Sequence, residues 1–307
     1  MKRSTALIWL SWLTGGLTLV AAAAGLFIRA SGVPFEIANV RGDMVEIYGQ
    51  GLYFYDSLFS AAGFRGTDLI TLVIALPLLV YAIFAYRSGS LRGGVLLTGV
   101  LSYFLYYAAS MAFGVQYNNL LLVYTAMLTS SLSAFVTALE LTDADTLDQS
   151  VNARLPRHAI GRFLVFAGVV LAGVWLSGLL PALLTNTAPN VIGHYTTIIT
   201  YPIDLGIIAP ACIVTGILLL RRRPLAMLFI SPLLVLCSLI GIVVIAQTIF
   251  QVNAGVDLTA AEIMIYVVSF LLMATISGGL VIAYLRSIPS GPVASSLSPS
   301  VTLTSVR

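Results

Sequence analysis

DLITLVIALPLLVYAIFAYR, residues 68–87, is the stretch that decides the fold. An aspartate opens it, an arginine closes it, and the apolar run between them is broken by one proline, Pro77. A run of this length covers about 30 Å at 1.5 Å per residue, enough to cross the hydrocarbon of a bilayer. It reads as a membrane span with its acidic end outside and its basic end inside. The pattern returns at residues 204–223 as DLGIIAPACIVTGILLLRRR, with Pro210 as the break and Arg223 again nineteen residues after its aspartate. The offset of 136 residues also carries Ser102 onto Ser238 in the next apolar run. Weak internal repeats are common in membrane transport folds, so a 4+4 duplication is expected.

Composition agrees. Of 307 residues, 59% are hydrophobic and 9% charged, whereas a soluble domain carries about a quarter charged residues. The chain is therefore read as an all-α polytopic membrane protein embedded in a lipid bilayer. A formal charge of +3, with the basic residues in short clusters between apolar runs, gives no reason to expect nucleic acid as a partner. Cys212 and Cys237 both fall inside apolar runs, where a thiol behaves as a small hydrophobe and not as part of a disulfide framework.

Outward from the quoted stretches, apolar runs occupy 6–28, 69–86, 95–113, 120–139, 163–184, 205–220, 225–250 and 263–285, which makes eight transmembrane helices. The first follows Lys2 and Arg3 as a secretory signal would, and Ala22 to Ala24 could pass for a cleavage site, but its length fits a retained span. The runs lack strict alternation, which excludes a barrel. With the N-terminus in the cytoplasm, twelve of the fifteen basic residues lie inside and only Arg29, Arg41 and Arg65 outside. The positive-inside rule then places both termini in the cytoplasm of a plasma membrane of bacterial inner-membrane type. The expected organisation is a first half, 1–140, with an outer loop at 29–67; a charged cytoplasmic linker, 141–162; a second half, 163–286; and a Ser/Pro/Thr-rich disordered tail, 287–307. Four spans per half make the repeat parallel, with its pseudo-two-fold axis along the membrane normal.

The outer loop contains two partly alternating segments around Arg41-Gly42-Asp43, a turn-forming cluster, and so predicts a small β-hairpin. DSLFSAAGF, after it, predicts a short helix lying on the membrane surface. The hairpin serves as a structural cap on the bundle, or as a lid or surface for a protein partner. The other long outer loop, 185–204, is apolar enough to dip into the interface, and Pro202 is expected to prevent a regular helix up to Asp204.

Candidate binding residues gather at the outer ends. Asp68 and Asp204 each begin a span, where aspartate is a preferred N-cap; alternatively the two carboxylates face a shared vestibule and bind a cationic or hydroxyl-bearing ligand. Tyr106, Tyr107, Tyr201, Asn118, Asn119 and His194 lie at the same level and complete the expected ligand-binding set. Their alternative is an aromatic belt. Only two histidines are present, and His158 lies on the opposite side, so His194 cannot belong to a multi-histidine metal site. No metal and no cofactor is expected.

Absences narrow the function. The middle of every span lacks an ionisable residue, which disfavours proton-coupled transport. HExxH, GxSxG and GxxxxGK[ST] are all missing, removing the simplest protease, hydrolase and ATPase signatures. RSGSLRGG, 87–94, reads as an inner turn touching lipid phosphates. The sequence favours a non-enzymatic, permease-like protein binding a small molecule or lipid from outside. The alternatives are a sensor or assembly subunit acting through loop 29–67, and a lipid-modifying enzyme using Asp68, Asp204 and His194.

Overall fold

The computed structural model describes residues 3–28 and 31–289. Among them, eight helices are long and apolar enough to cross a membrane: Thr5–Phe27, Leu58–Arg87, Leu91–Gly114, Leu121–Glu140, Arg157–Leu184, Thr200–Leu220, Ala226–Asn253 and Ala260–Ser287, the last counted as a span over Val267–Ser287. The protein is an all-α polytopic membrane protein with one two-stranded antiparallel sheet. Lys2, Arg29, Arg307 and the tail beyond residue 289, which the sequence reading used for topology and disorder, lie outside the described residues.

The hairpin pairs β1 (Phe35–Ala38) with β2 (Met44–Ile47) in the register Phe35 to Ile47 and Ile37 to Val45. Its turn is held by Asn39, whose side-chain oxygen accepts from the amides of Arg41 and Asp43, and by Gly42 at φ +88°. Only a residue without Cβ takes that conformation freely.

Two helix starts differ from expectation. The segment after Asp56 does not lie on the surface. Ser57 caps it by accepting from the Ser60 amide, and Leu58 to Gly63 form the first turns of the second span. No breaker separates this segment from the apolar run, and its small face packs closely on the seventh span: a Cβ on Gly66 would come within 2.7 Å of the Gln247 backbone. The sixth span likewise begins at Thr200, ahead of Pro202. Pro202 is tolerated because it falls in the first turn, where an amide has no intrahelical partner.

Both of these spans contain a wide π turn, at Thr71–Ala75 and at Asp204–Ile208. The amide of Leu76 reaches back five residues to the Thr71 carbonyl, and that of Ala209 to the Asp204 carbonyl. Each donor immediately precedes a proline. Pro77 and Pro210 have no N–H and crowd the carbonyl four residues back, and the widened turn absorbs the misfit. The prolines and π turns repeat at 133 residues, whereas the aspartates repeat at 136. Aligned on the backbone, Asp204 corresponds to Thr71 and Asp68 to Tyr201.

The third and seventh spans are the most buried. They meet where the Ser102 hydroxyl donates to the Pro232 carbonyl at 2.9 Å, a direct polar tie between the two helices. The seventh span also packs on the second and eighth, while the fifth packs on the sixth through Gly161 and Gly216, each within 3.1 Å of the other's backbone if given a Cβ. The connector between the fourth and fifth spans folds back on the bundle. Its helix Ala144–Ser150 is capped by Asp143, Leu147 is buried in the core, and Asp148 pairs with Arg157 at 2.6 Å. In loop 87–94, Arg92 is occupied by the carbonyl of Ile288, to which it donates at 2.6 and 3.2 Å.

Candidate functional site

On the third span, Tyr103, Tyr106 and Tyr107 share a face through their i, i+3, i+4 spacing. Each tyrosine of this face reaches a different partner. Tyr107 donates to Asp68 Oδ1 at 2.7 Å, and Tyr53, from the loop between the first and second spans, donates to Asp68 Oδ2 at 2.7 Å. Tyr103 shares a 2.6 Å hydrogen bond with Thr71, and Tyr106 donates to Asp204 Oδ1 at 3.1 Å. The other oxygen of Asp204 accepts from Trp175 Nε1 at 2.9 Å.

Neither aspartate caps its helix. Asp68 lies in the third turn of the second span and is fully buried, with both oxygens taken by tyrosine hydroxyls. Gly25 of the first span closes the site from the far side, because a Cβ there would collide with Asp68 Oδ2 and the Tyr53 hydroxyl. Asp204 is also buried. The two carboxylates therefore form separate knots, one tying the second span and the loop before it to the third, the other tying the fifth and sixth spans to the third.

The remaining expected residues divide between these knots and the loops. Tyr201 is buried edge-on against Trp175, at 5.2 Å between ring centroids, beside the Asp204 knot. Asn118 opens the fourth span: its Oδ1 accepts from the Leu120 amide at 2.9 Å and its Nδ2 faces the Tyr124 hydroxyl at 3.4 Å. Asn119 is exposed. His194 stacks on Tyr195 at 4.5 Å and bonds through Nε2 to the Tyr55 carbonyl at 3.0 Å, while its buried Nδ1 has no partner among the described residues. Burial holds its imidazole below the usual value, against the opposing effect of that carbonyl bond.

The residue joining the loops is Asp56, to which the sequence alone assigns no role. It is almost wholly buried, and Oδ1 accepts from the Gln116 amide at 2.9 Å and from the Tyr195 hydroxyl at 2.6 Å. Burial pushes its carboxyl up to about 7, offset in part by the bonds from Tyr195 and Gln116. The same burial, together with the Asp56 charge, raises the Tyr195 hydroxyl above its ordinary value. Asn39 and Arg41 add bonds of 3.0 and 2.5 Å to the carbonyl of Gly193. Three connecting segments are thus locked into one cap. Tyr53, Trp175 and Gln116 were missed with Asp56, since every one of their partners is distant in the chain.

Between the segments of the cap lies an open groove of about 530 Å³, lined by Phe35, Ile37, Ile47, Tyr55, Gln116, Tyr117 and His194. Phe35 and Ile37 are two apart on β1 and Ile47 pairs with Phe35, so one face of the hairpin forms its apolar wall. Gln116, His194 and the two tyrosines add hydrogen-bonding groups. Asp68 and Asp204 do not line it. Compared with protein-family models, curated proteins and solved structures, the chain matches none.

Proposed function

We propose that the protein is a permease- or receptor-like binder of a small amphiphile, taken up at the outer face of a plasma membrane with both termini in the cytoplasm. The observation that carries this reading is the groove in the cap: an apolar hairpin face opposed by a few convergent polar groups is the usual make-up of a small-molecule site. Gln116 and the His194 ring, both on the groove wall, supply the polar contacts to the ligand head. Asn118 and Asn119 border the same loop. Asp68, Asp204, Tyr106, Tyr107 and Tyr201 then serve by holding the third span in register beneath the groove, in the two halves of a 4+4 parallel repeat. The test is photo-crosslinking with a diazirine-bearing long-chain fatty acid. Adducts should concentrate on β1 and the loop holding Tyr117, and Ile37→Trp, which fills the groove, should remove them. Adducts spread evenly over the lipid-facing spans, and unchanged by Ile37→Trp, would refute the reading.

A second reading, an assembly subunit, is favoured by one observation. Val33, Val40 and Met44 of the hairpin are exposed, Val40 at 99%, and offer an apolar edge to a protein partner. Capture of one defined partner, lost on Val40→Asp with the crosslinking pattern intact, would favour it.

A further inference from the structure

At the end of the bundle opposite the hairpin, a second groove of about 650 Å³ runs between the first and second spans, lined by Arg3, Thr5, Ile8, Trp9, Trp12 and Arg87. Its two ends differ in chemistry. Arg3 and Arg87 stand at the mouth, brought to one level because the Ser4 amide donates to the Tyr86 hydroxyl at 2.8 Å. Neither arginine belongs to an ion pair among the described residues. No acid lines the groove. The guanidinium of Arg87 lies 5.9 Å over the Phe84 ring, and Trp12 meets that ring edge-on at 6.0 Å, so the Arg87 stem is held against the wall. From Thr5 the groove follows the first helix for seven residues to Trp12, about 10 Å at 1.5 Å per residue, along Ile8 and two indoles.

We propose that this groove is a binding site for one anionic phospholipid, with its phosphate between Arg3 and Arg87 and the start of an acyl chain along Ile8, Trp9 and Trp12. The occupant follows from the two chemistries together. A pair of guanidinium forks unmatched by carboxylates fits a phosphodiester, and a wall of indole and isoleucine descending from them fits the chain attached to it. Free phosphate would use only the mouth. Two other arginines differ: Arg92 is committed to the Ile288 carbonyl and Arg157 to Asp148.

Native mass spectrometry of the purified full chain, titrated with phosphatidylglycerol and with phosphatidylcholine, tests the site. Phosphatidylglycerol should be retained in preference. Arg3→Gln and Arg87→Gln should each weaken it about five-fold and together about twenty-five-fold, at roughly 1 kcal/mol per basic residue near an anionic headgroup. Trp9→Ala, at an indole that is 70% exposed and so dispensable for folding, should weaken the lipid while leaving thermal stability unchanged. Equal retention in the double arginine variant would overturn the proposal. So would an equal loss in an Arg154→Gln, Arg221→Gln control, which would show diffuse surface attraction, or full displacement by inorganic phosphate with no effect of Trp9→Ala, which would show a phosphate site without a chain.

Discussion

Replacing Asp68 by alanine should cost far more than loss of a helix cap, and the cost should be largely recoverable by removing two more polar groups. The variant strands the hydroxyls of Tyr53 and Tyr107, both of which lie in fully buried side chains whose bonds to Asp68 are 2.7 Å. A buried donor stripped of its acceptor costs about 1–3 kcal/mol, so two together cost about 2–6 kcal/mol. A lost N-cap would cost about 1 kcal/mol. The triple variant Asp68→Ala, Tyr53→Phe, Tyr107→Phe removes every member of the knot and should regain more than half of the loss, since removal of all partners avoids the desolvation penalty. Asp68→Asn should fall between, as its oxygen accepts from one tyrosine and its amide donates to the other. The readout is built in: Cys212 and Cys237 are buried and remote from the site, so maleimide labelling during a thermal ramp reports global unfolding. If Asp68→Ala costs less than about 1 kcal/mol, or the triple variant is no better than the single, water reaches the carboxylate and an open vestibule at Asp68 is the correct description.

Three other outcomes follow from the same geometry. The Asp56 carboxyl sits at about 7 in the folded protein and near 3.9 in an unfolded chain, so the folded state binds the extra proton and stability should fall as pH rises from about 4 to 7. At about 1.4 kcal/mol per pH unit the fall has an upper bound of about 4 kcal/mol, and Asp56→Asn should flatten it in melting curves followed by tryptophan fluorescence. An unchanged slope would show that the loop knot is solvated. Gly66→Ala should destabilise by about 1–3 kcal/mol because its Cβ meets the Gln247 backbone at 2.7 Å, whereas Gly173→Ala, with nothing within 4 Å, should be neutral or stabilising by up to about 1 kcal/mol. Thermal shifts of equal sign would contradict the close approach of the second and seventh spans. Finally, a cysteine at Val40 should react with an impermeant maleimide in intact cells and one at Gln149 should not, the two native cysteines being buried; the reverse result would invert the proposed orientation.

The sequence by itself determined the class of the protein, the number of its spans and the places where two of them break. These are local matters. A run long and apolar enough to cross a bilayer needs no partner to be recognised, and Pro77 and Pro210 disturb their helices by covalent structure alone. The turn at Arg41-Gly42-Asp43 was readable for the same reason. Helix starts were less legible, because Leu58 and Thr200 begin helices through Ser57 capping and a first-turn proline, in segments less uniformly apolar than the spans they open. Only the tertiary structure decided what the acids do. Asp68 reads as a cap from its neighbours and becomes the centre of a sealed knot through tyrosines 15 and 39 residues away. Asp56 has no distinguishing neighbour at all, since its partners are 60 and 139 residues distant. A buried carboxyl is defined by whichever donors folding brings to it, and that information is spread along the whole chain.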